Sequence, residues 1–418
     1  QESLQESLQE SLQESLQESL QEVVHVPITV APLKQHDFTA SNTSGWCAGV
    51  SYQGEQWGRS DRSRHDIPTA NTLANLGVRL AETGMASQQV SEALSWLEEE
   101  VLESGLLNLQ DRKIAVIGAG AEMAPTRLWL EAGADVLWLD TQPPPSSWWE
   151  LPNLSGRLFW PAEGVDLLSN PHAVLATLIE FAAGEPLDLG LYAYAPGQAR
   201  EIRLTAAMNA IVNALPQSLI RSVTMLVSPT TPVEVSASEL AFSKHRLATR
   251  PMWERSLEAL GLLGSGSSTV AHDKSAVVRS VVPTQGVSYQ AAQYLGKIMM
   301  AECWSGYGQL GVEHPEPLRV SANTAAITRT RSLSHPVFNA AFGGAAAFGV
   351  ETLAPQQSRR INGLLAVRDW LYPELPNPGQ IRVHGGIHTL PYPLEPALRI
   401  AALIGFARSP KLLLGLMR

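Results

Sequence analysis

Cysteine is almost missing. Cys47 and Cys303 are the only two in 418 residues, which excludes a disulfide framework and fits a reducing cytosol. Charged residues are also scarce, at 17%, and acids outnumber bases 40 to 30. No nucleic-acid partner is expected from that balance, because phosphate binding needs a concentrated basic surface. No charge-free apolar run is long enough to span a bilayer. Nor does the chain open on the basic and apolar pattern of a secretory signal. What remains is a chain with 44% apolar residues, enough to bury one large core with an appended lobe.

Residues 1–22 repeat Gln-Glu-Ser-Leu. Leucines four apart drift around a helix axis instead of forming one stripe, so this stretch reads as a disordered low-complexity repeat. Residues 23–110 form an N-terminal segment to which no role can be assigned, although Val90, Ala93, Leu94, Leu97, Val101 and Leu102 recur at helical spacing. From Lys113 onward short apolar runs alternate with helical ones, the rhythm of a parallel sheet with crossover helices. Strands are expected at Lys113–Ile117, Asp135–Leu139, Leu187–Ala195, Val223–Val227 and Leu318–Asn323. Helices are expected at Met123–Ala132, Asn170–Ala183, Gln198–Ala214 and Ser288–Trp304, with a long insertion over about 232–283. The expected fold is a Rossmann-like α/β domain over 111–335: a doubly wound parallel sheet with helices on both faces. An N-terminal extension precedes it, and a C-terminal helical tail, 336–418, follows.

Gly118-Ala119-Gly120 lies directly after the first strand, where glycines let backbone approach a pyrophosphate. Met123 stands at the position of the usual third glycine. Asp140 closes the second strand, placed to bind both ribose hydroxyls and repel a 2′-phosphate, so NAD is preferred to NADP.

Further along, Tyr194-Ala195-Pro196-Gly197, Met208-Asn209-Ala210, Ser228, Ser288-Tyr289-Gln290-Ala291-Ala292 and the run 318–330 fall in a familiar order. They resemble the corresponding stretches of the short-chain dehydrogenase/reductase family. The resemblance implies a catalytic Ser at Ser228, a proton-accepting Tyr at Tyr289, and cofactor contacts from Ala195 and Thr328. It also exposes a departure. The family carries a lysine four residues after its tyrosine to lower the phenol's pKa; here that residue is Gln293, and Lys297 lies a turn further. A buried structural tyrosine stays open as the other reading of Tyr289.

Three functions compete. Together with the tail, Gly118–Pro125, Ser288–Lys297 and Val320–Leu333 resemble a divergent branch of the family, the monoglucosyldiacylglycerol epimerases. That resemblance implies NAD-dependent inversion at C4 of a glycolipid headgroup beside a thylakoid or plasma membrane, on its cytoplasmic face. The alternatives are an NAD(P)-linked oxidoreductase of a lipid-like carbonyl or enoyl substrate, and a non-catalytic NAD-binding scaffold, for which Gln293 speaks. Arg329 and Arg331 follow the last strand, where they either hold a ligand or pair with surface acids. In the tail, Arg399, Arg408, Lys411 and Arg418 punctuate greasy blocks, a pattern suited to peripheral contact with an anionic bilayer. Asp273, Lys274 and Arg279 lie in the insertion, a possible substrate lid. His384 and His388 flank two glycines without an evident third ligand, so no metal is expected.

Overall fold

A computed structural model describes residues 32–37, 72–102, 107–149, 154–264, 269–272, 275–278, 280–300 and 318–415. The tetrapeptide repeat, both cysteines, and Asp273, Lys274 and Arg279 lie outside the described residues.

The strands are β1 (Leu33–Asp37), β2 (Lys113–Ile117), β3 (Asp135–Leu139), β4 (Arg157–Pro161), β5 (Leu187–Leu191), β6 (Ile220–Met225), β7 (Val233–Val235), β8 (Thr269–His272), β9 (Ser275–Val278) and β10 (Arg319–Ser321). Seven of them form one sheet in the order β1-β4-β3-β2-β5-β6-β10. Every pairing in it is parallel except β1 with β4. From β4 to β10 this is the doubly wound order, reversing direction between β2 and β5, where ligands bind in such sheets. The fold is Rossmann-like.

Alternation along the strands explains why both faces are covered. Ile114, Val116, Val136 and Trp138 enter one core with α1 (Leu73–Glu82), α2 (Gln88–Trp96), α3 (Thr126–Glu131) and α10 (Pro355–Leu371). Ala115, Ile117, Leu137 and Leu139 enter the other with α4 (Pro171–Ala182) and α5 (Arg200–Ala214). The N-terminal helices thus have a place that the sequence reading left blank: they cover one face of the sheet.

Several boundaries shift. The helix expected at Met123–Ala132 is only Thr126–Glu131, because Pro125 disfavours helical backbone at Ala124 and leaves 121–125 as turn. The expected strands Leu187–Ala195, Val223–Val227 and Leu318–Asn323 are shorter or displaced, ending at Leu191, Met225 and Ser321. β1 and β4 were not anticipated. β4 reads Arg-Leu-Phe-Trp-Pro and β1 Leu-Lys-Gln-His-Asp, neither of which carries the apolar run of a central strand.

The insertion is built, not a loop. β7, β9 and β8 form a small antiparallel sheet, with α6 (Ala237–Thr249) and α7 (Met252–Ala259) lying between β7 and β8 in the chain. α6 opens with a capping box: Ser236 Oγ accepts from the Glu239 amide while the Glu239 carboxylate accepts from the Ser236 amide. α8 (Val287–Ile298) crosses back along α5. In the tail, α9 (Pro336–Ala345) and α11 (Leu394–Arg408) pack backbone to backbone. A Cβ on Gly344 would lie 1.9 Å from the Ala401 oxygen, and one on Gly405 1.7 Å from the Ala340 oxygen. No helix among the described residues is long and apolar enough to cross a membrane.

Candidate functional site

The glycine turn sits at the carboxyl ends of β2, β3 and β5. Gly118 has φ +82°, and a Cβ there would meet the Ala193 nitrogen at 2.4 Å, so only glycine fits. Its amide donates to the Leu139 carbonyl at 2.7 Å. The Gly120 amide donates to Asp140 Oδ2 at 2.9 Å, which holds the acid over the turn. Trp138 packs against Gly120 from the same strand end, 3.0 Å from where a Cβ would stand. Thr126 Oγ1 donates to the Ala119 carbonyl at 2.8 Å and ties the short helix α3 to the turn.

Met123 lies in this turn, before the helix. Positive charge at the turn comes from side chains. Glu122 accepts from the Arg331 amide at 2.9 Å, lies 3.5 Å from its guanidinium, and acts on Arg359, which also feels Arg127. Arginines around a glycine turn suit a phosphorylated ligand. Together with Asp140, these residues fit a dinucleotide: an acid for ribose hydroxyls, a glycine turn whose Gly120 is exposed, and arginine beside the turn.

A second wall stands across the crevice. Val227 pairs with Thr324 at the end of β6, and the chain then runs Ser228-Pro229-Thr230-Thr231-Pro232. The Ser228 and Thr230 hydroxyls are 2.8 Å apart, and Thr230 Oγ1 donates to Gln285 Oε1 at 2.7 Å. Tyr289, on the first turn of α8, brings its phenol to both hydroxyls. Burial pushes that phenol's pKa up, while hydrogen bonds from Ser228 and Thr230 pull it down. Its ring meets Tyr194 edge-on at 6.2 Å, one residue beyond Ala193, which touches Gly118. Ser288 Oγ donates to Glu201 Oε2 at 2.8 Å and pins the start of α8 to α5.

Gln293 and Lys297 follow Tyr289 at successive fours on α8, yet each has its own employment. Gln293 Oε1 accepts from the Ser228 amide at 2.8 Å, so it positions the serine. Lys297 Nζ donates to the Pro232 carbonyl at 3.0 Å, and burial, helped by Arg382, lowers its pKa to about 8. Of the other expected contacts, Ala195 lies beside Tyr194 at the end of β5, whereas Thr328 is buried with its hydroxyl donating to the Ala326 carbonyl. Asn209, half-buried on α5, keeps Oδ1 without a hydrogen-bond partner. Arg329 Nε donates to Thr352 Oγ1 at 2.8 Å.

Sequence reasoning missed Thr230, Gln285 and a buried charged cluster behind the wall. The signal for Thr230 was its place two residues from Ser228 in a Pro-flanked run; Gln285 left none. In the cluster, Arg382 pairs with Glu239 Oε2, His384 Nε2 lies 3.3 Å from Glu239 Oε1, and the rings of His384 and His388 stack at 4.5 Å. Burial would raise the Glu239 carboxyl, but His384, Arg382 and the Ser236 amide hold it well below the usual range. Burial lowers the pKa of both imidazoles, against the Glu239 carboxylate, which raises them.

No family profile matches the sequence, and no curated protein matches it either. The chain is similar in structure to the gluconate 5-dehydrogenase of Burkholderia cenocepacia J2315, solved with NADP and tartrate. That match has 13% identity and a TM-score of 0.38 over 67% of this chain and 96% of that one. It is likewise similar to a short-chain dehydrogenase/reductase (glucose/ribitol dehydrogenase) of Brucella melitensis, at 13% identity and TM-score 0.36 over 68% and 98% of the two chains. A nucleoside-diphosphate-sugar epimerase, PA4631 of Pseudomonas aeruginosa, gives 13% identity and TM-score 0.31 over 65% and 71%. The fold assignment rests on strand order.

Proposed function

We propose that the chain is an NAD-dependent enzyme of the short-chain type that inverts C4 of the glucose headgroup of monoglucosyldiacylglycerol through a transient 4-keto sugar. The observation that carries the reading is the Tyr289 phenol, on the Ser228 and Thr230 hydroxyls, across the crevice from the turn of Gly118, Gly120 and Asp140. A bound nicotinamide dinucleotide supplies a reversible two-electron acceptor. Tyr289 takes the carbinol proton and later returns it, while Ser228 and Thr230 hold the reacting oxygen by hydrogen bonds. Gln293 contributes no charge; it fixes the Ser228 amide and thereby the hydroxyl.

Asp140 favours NAD, since its carboxylate over Gly120 would repel a 2′-phosphate. The tail is the membrane-facing part in this reading. Leu403, Leu413 and Leu414 are exposed near Arg399, Arg408 and Lys411, an arrangement suited to the cytoplasmic face of an anionic bilayer.

The test is incubation of the purified full chain with monoglucosyldiacylglycerol and no added NADH, with the headgroup followed by chromatography. Galactolipid formation without net cofactor change, lost in Tyr289→Phe, is the expected result. Stoichiometric NADH consumption with carbonyl lipids would reassign the protein as a reductase, and dinucleotide binding without turnover as a scaffold.

A further inference from the structure

Behind the catalytic wall, two histidines and a glutamate from separate parts of the chain converge on one point. Glu239 comes from α6 in the insertion, and His384 and His388 from the glycine-containing turn that precedes α11. All three are buried, and one donor atom from each lies within 4.8 Å of the others. We infer that these residues form a site for one transition-metal ion of the zinc class.

The hydrogen-bond ledger points there first. Glu239 Oε1 and His384 Nε2 are buried with only each other in reach, 3.3 Å apart, and His388 Nδ1 is buried without a hydrogen-bond partner. Native interiors hold few such atoms, and each needs an explanation. Three in one pocket share one.

The remaining polar atoms of the same side chains are held from outside, as ligand-orienting contacts do. Arg382 and Ser236 take Glu239 Oε2, which leaves Oε1 to face His384. The Pro229 carbonyl lies 2.9 Å from His388 Nε2; with the proton placed there, Nδ1 presents its lone pair. His384 Nδ1 accepts from the Gly386 amide at 3.1 Å, so the neutral ring carries its proton on Nε2. An ion takes that proton's place, and the proton leaves to solvent.

Geometry agrees in part already. A tetrahedral ion ~2.0–2.1 Å from its donors spaces them by about 3.4 Å, and His384 Nε2 and Glu239 Oε1 stand 3.3 Å apart. A donor atom of His388 lies within 4.8 Å of both. Two imidazoles and one carboxylate select zinc over magnesium or calcium. Such an ion would tie the insertion to the C-terminal part and brace Pro229, next to Ser228.

The test uses the full chain, stripped with EDTA and titrated with cobalt(II) or zinc. Expected are one cobalt per chain with the intense visible absorption of a tetrahedral site, and a rise in Tm with zinc of about 5 °C or more. Magnesium gives neither. His388→Gln retains a donor for Pro229 and removes the Nδ1 ligand. It should keep the Tm of the stripped wild-type chain, lose the spectrum, and bind zinc at least about tenfold more weakly. Because the wild-type measurements stand without any variant, misfolding of His388→Gln leaves the question decidable. Identical wild-type Tm with zinc and with EDTA, no cobalt spectrum, or equal binding by a folded His388→Gln variant overturns the site.

Discussion

The loop 228–232 has two sides with opposite chemistry. Its front meets Tyr289, Gln285 and Gln293, all neutral and joined by hydroxyl and amide hydrogen bonds. Its back meets His388 and Lys297, and His384, Glu239 and Arg382 stand behind His388, all of them ionisable. A neutral front adapts to a polar substrate at little cost, because each hydrogen bond exchanges readily with water. A charged back cannot adapt, since separating any pair strands a charge in low dielectric. One loop is thus held rigid from behind and left chemically versatile in front.

Breaking the back has the largest expected effect. Glu239→Ala leaves the Arg382 guanidinium buried without its partner and is expected to cost about 3–5 kcal/mol, read as a fall in the urea midpoint. Breaking the front instead spares the fold. Tyr289→Phe is expected to leave stability within about 1 kcal/mol but to slow turnover by roughly 10²–10⁴, measured on headgroup conversion. If Tyr289→Phe destabilises more than Glu239→Ala, the contrast between the two sides is wrong.

Lys297 sharpens the contrast through pH. Its pKa falls from 10.5 to about 8 on folding, so the fold disfavours the charged amine. Below pH 8 both folded and unfolded chains are protonated and the full penalty applies. Between pH 8 and 10.5 only the unfolded chain holds the proton, so stability should rise with pH across this window. Lys297→Met should remove that rise and be the more stable protein at pH 7, by roughly 2–3 kcal/mol, in paired denaturant curves at pH 7 and 10.5. The smallest effect belongs to Gln293→Ala, which leaves the Ser228 amide without its acceptor and should cost about 1 kcal/mol, with turnover reduced less than Tyr289→Phe.

How much of this was legible in the sequence depended on distance along the chain. β2 and β3 were readable to the residue, because strands buried on both faces appear as continuous apolar runs. The glycine turn and Asp140 were readable as well, since both lie at strand ends in one βαβ unit. β1 and β4 were not, for their Lys, Gln, Arg and Pro belong to a sheet margin. Pro125 was visible, and its effect on α3 was overlooked. The histidine pair looked incomplete because its third donor sits on a helix far upstream, and no local spacing rule connects Glu239 to His388. The employment of Gln293 was equally hidden: only packing brings its carbonyl to the Ser228 amide.

The contact between His388 and the Pro229 carbonyl joins residues 159 positions apart. Domains begin to fold from the amino terminus while synthesis continues, so the parallel sheet can form on the ribosome long before His388 emerges. The rear support for the serine loop arrives only after every strand of the sheet. A nascent chain, or one cut before His388, would therefore own the nucleotide cradle without a braced reaction wall, and chemistry would wait for that histidine.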